Sequence, residues 1–219
     1  MAIGSMFSAL EVVPLALIGF EAFENWRHTK AAPWVKLYKW PILFFVAVAF
    51  WNLLGAGVLG FMINPPLSLY YIQGLNTTAT HAHAALFGVY GMLGIGLLLF
   101  CFRGMSRPEA WSDKLLGWTF WTLNGGLLMM VCLSLLPVGV IQAFASIEHG
   151  MWYARSPAVI HSPLVETLVW MRMPGDVVFS IGAVTLAIFA GRLVIGSFKP
   201  ALVEPEASPD AVPAPLPAE

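Results

Sequence analysis

The chain has 219 residues, of which 58% are hydrophobic and 11% charged, and its formal net charge is −1. A soluble domain carries about 25% charged residues, so this composition argues against an ordinary soluble enzyme. The near-neutral charge also argues against nucleic-acid binding, which relies on an excess of lysine and arginine. Both cysteines, Cys101 and Cys132, fall in apolar runs and are expected to be small buried hydrophobic residues.

Five apolar segments follow one another along the chain. A helix needs about 20 mostly apolar residues to cross the hydrocarbon core of a membrane. The segments that satisfy this requirement are residues 3–23, 41–63, 78–102, 116–139 and 175–198. None shows the alternation of apolar and polar residues that is typical of a β-barrel strand. The sequence therefore predicts an all-α, polytopic membrane bundle within residues 1–199.

The charges between these segments predict the orientation. Basic residues cluster after the first span and after the third, at Arg27, Lys30, Lys36, Lys39, Arg103, Arg107 and Lys114. The segment "NPPLSLYYIQGLNT" before the third span has no charge. Because connections rich in Lys and Arg stay in the cytoplasm, the third span is predicted to begin on the outer face.

The two ends of the chain follow from this orientation. The N-terminus is predicted to lie outside and the C-terminus in the cytoplasm. Residues 200–219 are rich in proline, alanine and acidic residues and are predicted to be a disordered cytoplasmic tail. An outer N-terminus that enters a span at once, without a signal sequence, is typical of the downstream part of a larger protein.

The third span carries two histidines, His81 and His83, near its start, in "NTTATHAHAALFGVYG". Ionisable residues inside a membrane span are costly and often functional. Residues two apart on an α-helix point about 200° away from each other, whereas one metal ion held by one helix needs a spacing of three or four. The pair therefore suits two separate metal sites, such as two hemes. The alternative is two histidines hydrogen-bonded to neighbouring helices or to water.

A family resemblance rests on the segment "TTATHAHAALFGVYGMLGIG" together with "GSMFSALEVVPLALIGFEA", "SLLPVGVIQAFASIEHGMWYARS" and "RMPGDVVFSIGA". The chain resembles the heme–copper oxidase superfamily, and most of all the large subunit of bacterial nitric oxide reductase of the quinol-dependent type. In that family a His-x-His motif on the tenth core helix ligates two hemes. The resemblance implies that His81 is the proximal ligand of high-spin heme b3 and that His83 is an axial ligand of low-spin heme b.

Glu11 lies near the middle of the first span. A carboxylate at that depth is costly unless it is protonated, paired or hydrated. One interpretation is a protonated glutamate that a neighbouring helix satisfies. The resemblance implies a catalytic role near the non-heme iron, where this glutamate would hold or deliver protons.

Two arginines, Arg155 and Arg172, fall on the predicted outer side, where the third span begins. Arginine binds carboxylates through two parallel hydrogen bonds, so both residues are candidates to bind the propionates of a heme. Both also suit a simple interfacial position.

The family's catalytic subunit uses six metal-binding histidines on four helices, and this chain supplies two of them. The resemblance therefore implies the last five of twelve core helices, without the second ligand of heme b and without the ligands of the non-heme iron. We expect that the chain alone cannot reduce NO and that it needs the remaining helices of the enzyme as partner. The implied setting is a bacterial cytoplasmic membrane, with NO as substrate and quinol or cytochrome c as electron donor.

Two other functions stay open. The first is a part of an oxygen-reducing heme–copper oxidase. The reductase-like Glu11 in "SALEVVPL", and the lack of a lysine in the first span, argue against it. The second is a truncated, inactive heme-binding membrane protein, which the missing histidines would favour if the chain were complete.

Overall fold

The computed structural model describes residues 2–10, 12–29, 32–106 and 108–197. Within these ranges the regular structure is helical and contains no strand, which confirms the all-α prediction. Glu11 and the predicted tail at residues 200–219 lie outside the described residues.

The chain begins with two helices on either side of Glu11: α1 is Ala2–Leu10 and α2 is Val12–Thr29. A short helix α3, Pro33–Leu37, follows. The predicted first span, residues 3–23, covers α1 and the first part of α2. Large apolar side chains on both helices are exposed, among them Phe7 and Leu17. That this segment crosses the membrane stays a prediction.

Four further helical segments are long and apolar enough to cross a membrane. They are α4, Lys39–Ile63; α6, Asn76–Met105; α7, Asp113–His149; and the segment Pro163–Gly196, which is made of α10, Pro163–Trp170, and α11, Arg172–Ser197. These segments match predicted spans two to five, so the helical membrane bundle is confirmed. The fourth and fifth segments extend about ten residues further towards the connection between them than the sequence predicts.

Short helices form the connections at the end of the bundle where α6 begins. Helix α5, Pro66–Ile72, joins α4 to α6, and helices α8, Met151–Ala154, and α9, Pro157–Ile160, lie between α7 and α10. Helix α7 ends at His149 because Gly150 has a φ of 91°, a conformation that glycine adopts without steric cost.

Each of α4, α6 and α7 contains a stretch of π-helix, at Asn52–Leu59, Leu86–Gly91 and Val131–Leu135. In a π-helix the backbone bonds run from residue i to i+5, so the turn is wider and its carbonyl groups are displaced from the α-helical pattern. Such stretches occur often at functional sites. The first of them lies directly against the histidine-bearing turn of α6.

Trp51 and Asn124 join the three π-containing helices in the core. The indole Nε1 of Trp51 donates to Asn124 Oδ1 at 2.9 Å, and Trp51 is 1% exposed. A β-carbon on Gly88 would lie 2.4 Å from Cγ of the indole. The absence of a side chain at Gly88 is therefore what allows α6 to pack on Trp51.

Helices α7 and α11 pack with their backbones in contact. A β-carbon on Gly126 would lie 2.5 Å from the backbone nitrogen of Phe179, and one on Gly175 would lie 2.8 Å from the nitrogen of Met130. Small residues of this kind allow membrane helices to approach closely. The packing fixes one face of α11 on α7 and leaves its opposite face exposed.

The expectation that both cysteines are buried is wrong: Cys101 and Cys132 are exposed. Each belongs to a membrane-spanning helix, and each points out of the bundle. An apolar run in a membrane protein does not distinguish core from lipid-facing positions, because both are apolar.

Candidate functional site

Side chains from α7 hold the backbone of α5 and of the start of α6. The Oε1 atom of Gln142 accepts a hydrogen bond from the backbone N–H of Asn76 at 2.9 Å, and Ser146 Oγ donates to the Tyr71 carbonyl at 2.5 Å. Gln142 is 7% exposed and Ser146 is 1% exposed. These contacts fix the position of α6 along its own axis and so set the height of its two histidines.

His81 lies on the second turn of α6 and faces α4. Its Nδ1 atom is 2.8 Å from the backbone carbonyl oxygen of Gly55. A carbonyl oxygen can only accept a hydrogen bond, so Nδ1 carries the proton and donates it. In the neutral form of an imidazole with this bond, the lone pair is on Nε2, which is then the atom available to a metal.

The approach of His81 to Gly55 depends on glycines in α4. Gly55 lies in the π-helical stretch, and a β-carbon there would lie 2.7 Å from Cβ of Ala84. A β-carbon on Gly60 would lie 3.3 Å from Cε1 of His81. The backbone of α4 therefore lies directly against α6 and against the imidazole ring.

His83 faces α11 instead. Its Nδ1 atom is 2.8 Å from the carbonyl oxygen of Ala79, one turn earlier on α6, so Nδ1 again donates and Nε2 again has the lone pair. Arg172 Nη2 donates to this Nε2 at 3.2 Å. Arg172 Nε donates in turn to Asp176 Oδ1 at 3.2 Å. The two histidines thus point to different neighbours, as their spacing predicts.

This donor set fits one axial bond from each imidazole to a separate iron. Histidine ligands of metals characteristically donate their second ring N–H to a carbonyl or a carboxylate, which fixes the tautomer and raises the basicity of the ligating nitrogen. His81 and His83 both show this arrangement. An iron at His83 would need the lone pair that accepts from Arg172, so Arg172 would have to turn away for that bond to form.

Within the described ranges, the site included, no group of three or more His, Cys, Asp or Glu residues could hold a metal ion. His149 and His161 are exposed and lie near acidic neighbours, His149 Nε2 at 3.8 Å from Glu148 and His161 Nδ1 at 3.1 Å from Glu166. The described residues therefore contain no metal site built from three or more such side chains.

The two candidate arginines occupy different positions. Arg172 lies beside His83, as described above. Arg155 Nη2 donates to the Gln73 carbonyl at 2.6 Å, beside Gly74, whose φ is 69°. The Nε atom of Arg155 is buried and has no hydrogen-bond partner among the described residues. Arg172 thus contacts His83, a candidate heme ligand, whereas Arg155 stabilises the turn that precedes α6 through its hydrogen bond to Gln73.

Sequence reasoning missed three residues that position the site: Gly55, Gln142 and Asp176. The glycines of "NLLGAGVLG" were a signal for close packing, but the sequence does not indicate which carbonyl His81 would reach. Gln142 and Asp176 are isolated polar residues in or next to apolar spans, and this pattern could have identified them as residues with a specific partner.

The fold and this site together define a class of protein. The chain is a helical membrane protein in which two histidines of one helix contact different neighbouring helices, His81 through Nδ1 and His83 through Nε2. Residues 1–178 match the family described as cytochrome c and quinol oxidase polypeptide I. The chain belongs to this family, the subunit I family of the heme–copper oxidases, whose members are membrane oxidoreductases that bind hemes.

A curated relative is similar over most of the chain. It is a nitric oxide reductase subunit from Stutzerimonas stutzeri, which is 29% identical over 194 residues. The aligned region covers 83% of this chain and 38% of that protein. The chain thus spans well under half the length of this relative.

Proposed function

We propose that the chain is part of a membrane nitric oxide reductase, in which His81 is the proximal ligand of heme b3 and His83 is one axial ligand of heme b. The observation that carries this proposal is that the two imidazoles make the same hydrogen bond and so have the same tautomer. Each donates Nδ1–H to a backbone carbonyl at 2.8 Å, which leaves Nε2 as the atom that would bind a metal, once Arg172 has left the Nε2 of His83. The similarity to the Stutzerimonas stutzeri nitric oxide reductase supports NO as the substrate.

The chain's own residues would hold and tune the two groups. The carbonyl of Gly55 would orient the His81 ring, because it accepts a hydrogen bond from Nδ1–H. The same bond would make Nε2 more basic and so a stronger metal ligand. The Ala79 carbonyl would do the same for His83. When bound, the hemes would supply electron transfer and the binding of NO at an iron. The two ligands are two residues apart on one helix, so the helix itself would set the separation of the irons.

Three further residues have proposed roles. Glu11 would hold or deliver protons, and Arg155 and Arg172 would bind heme propionates. For Arg155 the support is its buried, unpartnered Nε, which a propionate carboxylate would satisfy. For Arg172 the support is its position beside His83.

The reaction would be 2 NO + 2 e⁻ + 2 H⁺ → N2O + H2O. A second iron is needed beside heme b3, and the described residues offer no ligand set for it. Its histidines, and the second ligand of heme b, would come from the remaining helices. We place the assembly in a bacterial cytoplasmic membrane, with the start of α6 outside, the C-terminus in the cytoplasm, and quinol or cytochrome c as donor.

The test uses the full chain produced together with the part of the Stutzerimonas stutzeri protein that it does not align with. Reduced-minus-oxidised spectra should show high-spin and low-spin b-type heme. His81→Ala should remove the high-spin signal and His83→Ala the low-spin signal, with N2O production lost in both. His161→Ala, at an exposed position, is the control and should change neither signal. If both alanine variants kept both heme signals, the proposed ligands would be wrong.

Oxygen reduction is the second candidate, because the matching family is described by oxidases that use cytochrome c or quinol. The same preparation distinguishes the two reactions: N2O formation from NO supports the reductase, and consumption of O2 without N2O formation supports the oxidase. An assembly that binds both hemes and reduces neither gas would support the inactive heme-binding protein.

A further inference from the structure

Three cationic side chains lie close together at the end of the bundle away from the histidines. Lys36 belongs to α3 and Lys39 begins α4, and both are exposed. Arg103 belongs to the last turn of α6, and its Nε donates to the backbone carbonyl of Leu37 at 3.0 Å. Leu37 lies between the two lysines in the sequence, so Arg103 contacts the chain between them. We call Lys36, Lys39 and Arg103 the basic patch.

The basic patch lies at the level of the lipid headgroups. Helix α4 has 25 residues and measures about 37 Å, which exceeds a hydrocarbon core of about 30 Å. Lys39 is its first residue, and the end of α6 lies beside it, since the rings of Tyr38 and Phe100 are 5.0 Å apart. Trp34, just before the patch, is 54% exposed, and tryptophan is enriched at the membrane–water interface. The three cations therefore lie where phospholipids have their phosphates.

Arg103 is held in one orientation by two contacts. Its Nε is engaged by the Leu37 carbonyl, and its Cζ lies over the ring of Trp111 at 4.8 Å from the centroid. Within the described ranges, no carboxylate pairs with Arg103, Lys36 or Lys39. A guanidinium bound through Nε keeps the N–H groups of Nη1 and Nη2, and this edge can bind two oxygens of a phosphate. Arg103 therefore offers a preorganised edge to an anion.

Two nearby carboxylates leave the patch positively charged. Asp113 Oδ1 accepts a hydrogen bond from Trp40 Nε1 at 2.7 Å, and Glu109 is exposed in the helical turn Pro108–Ala110. In the part of the chain that the structure describes, neither forms an ion pair with a member of the basic patch. The patch therefore keeps a local excess of positive charge, which an anionic ligand can neutralise.

An exposed apolar surface of α4 begins at the basic patch. Val46 and Phe50 are 49% and 52% exposed. They follow Lys39 at spacings of seven and four residues, which place all three on one side of a helix. We call Lys39, Val46 and Phe50 the α4 outer face. The opposite side, which includes Phe44, is buried. A lipid with its headgroup on the basic patch can therefore extend an acyl chain along the α4 outer face.

We propose that the basic patch binds the phosphate of an anionic phospholipid, whose acyl chain lies along the α4 outer face. Charge complementarity favours an anionic headgroup, because the ammonium group of a zwitterionic headgroup offsets its phosphate and is repelled by the three cations. The apolar surface favours a lipid over a free phosphate ion, since an ion gains nothing from Val46 and Phe50. The bound lipid links α3 and α4 to the end of α6. This inference depends neither on the hemes nor on the proposed reaction.

The test uses the full chain, which is purified in detergent and mixed with equal amounts of dioleoyl phosphatidylglycerol and dioleoyl phosphatidylethanolamine. These lipids have the same acyl chains and differ in the charge of the headgroup. Native mass spectrometry measures how much protein carries each lipid. We expect the phosphatidylglycerol complex to exceed the other about tenfold, because each Lys or Arg near an anionic headgroup adds to binding. An excess of inorganic phosphate should not displace the lipid.

Substitutions test the basic patch itself. Arg103→Gln should lower the ratio of bound phosphatidylglycerol to phosphatidylethanolamine about fivefold, and the double variant Lys36→Gln with Lys39→Gln should do at least the same. Arg103→Lys keeps the charge but not the bidentate edge, so its ratio should lie between those of the wild type and Arg103→Gln. Helical content and monodispersity are measured for every variant. The two lysines are exposed, so the double variant still tests the proposal if Arg103→Gln alters folding.

The matched control is Arg192→Gln, which removes an exposed arginine from α11 near the same end of the bundle. This variant should keep the wild-type ratio. A phosphatidylglycerol with a photoreactive group on its acyl chain then locates the chain. Labelling should concentrate on the peptide that contains Val46 and Phe50, and not on Trp121, which is 70% exposed on α7.

Four results would overturn the proposal. Equal binding of the two lipids, or an unchanged ratio in both Arg103→Gln and the lysine double variant, would show that the basic patch does not select the headgroup. An equal loss in Arg192→Gln would assign the preference to overall charge. Displacement by inorganic phosphate would assign the patch to the free ion, and labelling mainly at Trp121 would place the lipid elsewhere.

Discussion

The Nδ1 atom of His81 lies 2.8 Å from the carbonyl oxygen of Gly55. This single bond joins a π-helical turn of α4 to the histidine-bearing turn of α6, and it decides which nitrogen of the imidazole carries the proton. It exists because α4 has no side chain at Gly55, so the two backbones can approach each other.

Gly55→Ala should weaken this contact. The new β-carbon would lie 2.7 Å from Cβ of Ala84 and 2.9 Å from its backbone carbon, so α4 and α6 must move apart. Overpacking of this kind costs about 1–3 kcal/mol. The free energy of unfolding in a detergent titration should fall by that amount, and the heme assigned to His81 should lose occupancy in the reduced-minus-oxidised spectrum of the assembled protein.

Gly94→Ala is the control for this substitution. Gly94 lies on α6, and nothing lies within 4 Å of an added β-carbon. Alanine favours a helix over glycine by about 1 kcal/mol, so this variant should be as stable as the wild type or more stable. Equal stability losses in the two variants would contradict the close-approach explanation.

The Trp51–Asn124 hydrogen bond should contribute to the stability of the core. Asn124→Leu leaves the buried indole N–H without its partner, which costs about 1–3 kcal/mol. The double variant with Trp51→Phe should cost less than the sum of the two single variants, because the orphaned donor is gone. A double-mutant cycle of unfolding free energies measures this coupling, and strict additivity would show that the bond contributes nothing. Trp121→Phe, at an exposed position, should change little.

Gln142 should anchor the start of α6. Gln142→Leu removes the acceptor of the Asn76 backbone N–H, and we expect a loss of about 1–3 kcal/mol. Hydrogen exchange measured by mass spectrometry should speed up in residues 76–80. Gln73→Ala is the control, because Gln73 takes part through its backbone carbonyl and its side chain can be removed without breaking that bond. Unchanged exchange in Gln142→Leu would contradict this role.

Arg172 and Asp176 should shift the reduction potential of a heme at His83 in opposite directions. Arg172→Gln removes a positive charge and should raise the stability of the oxidised iron, which carries the greater positive charge, so the potential should fall. Asp176→Asn should raise it. We expect shifts on the order of 60 mV, which correspond to a tenfold change in a one-electron equilibrium. Redox titration of the low-spin signal measures both values. Shifts of the same sign in the two variants would rule out a direct charge effect. Glu166→Gln, at an exposed position on α10, is the control and should leave the reduction potential unchanged.

Much of the fold follows from apolar length. Predicted spans two to five correspond to α4, α6, α7 and α10–α11, because an uninterrupted apolar segment of this length has no other stable position than a membrane helix. The sequence did not predict the three π-helical stretches. Their hydrogen-bond shift depends on contacts with neighbouring helices, and no residue type encodes it.

For the site, too, the sequence predicts some properties and not others. The spacing of His81 and His83 required that they face different sides, since this follows from the pitch of one helix. The roles of the two arginines did not follow from sequence, because a cation near the outer face suits a heme, a backbone carbonyl or water equally well. Arg155 lies against Gln73, whereas Arg172 lies against His83.

By itself, the sequence determined that this protein is a helical membrane bundle and that His81 and His83 point to different sides of one helix. Both properties depend on local composition and periodicity. Only the tertiary structure decided which backbone carbonyl sets the tautomer of His81, which polar residues hold the start of α6, and which face of α11 stays exposed. These depend on how closely helices distant in sequence can approach. That distance is set by glycines such as Gly55 and Gly175, whose missing side chains leave room for the backbone of the neighbouring helix.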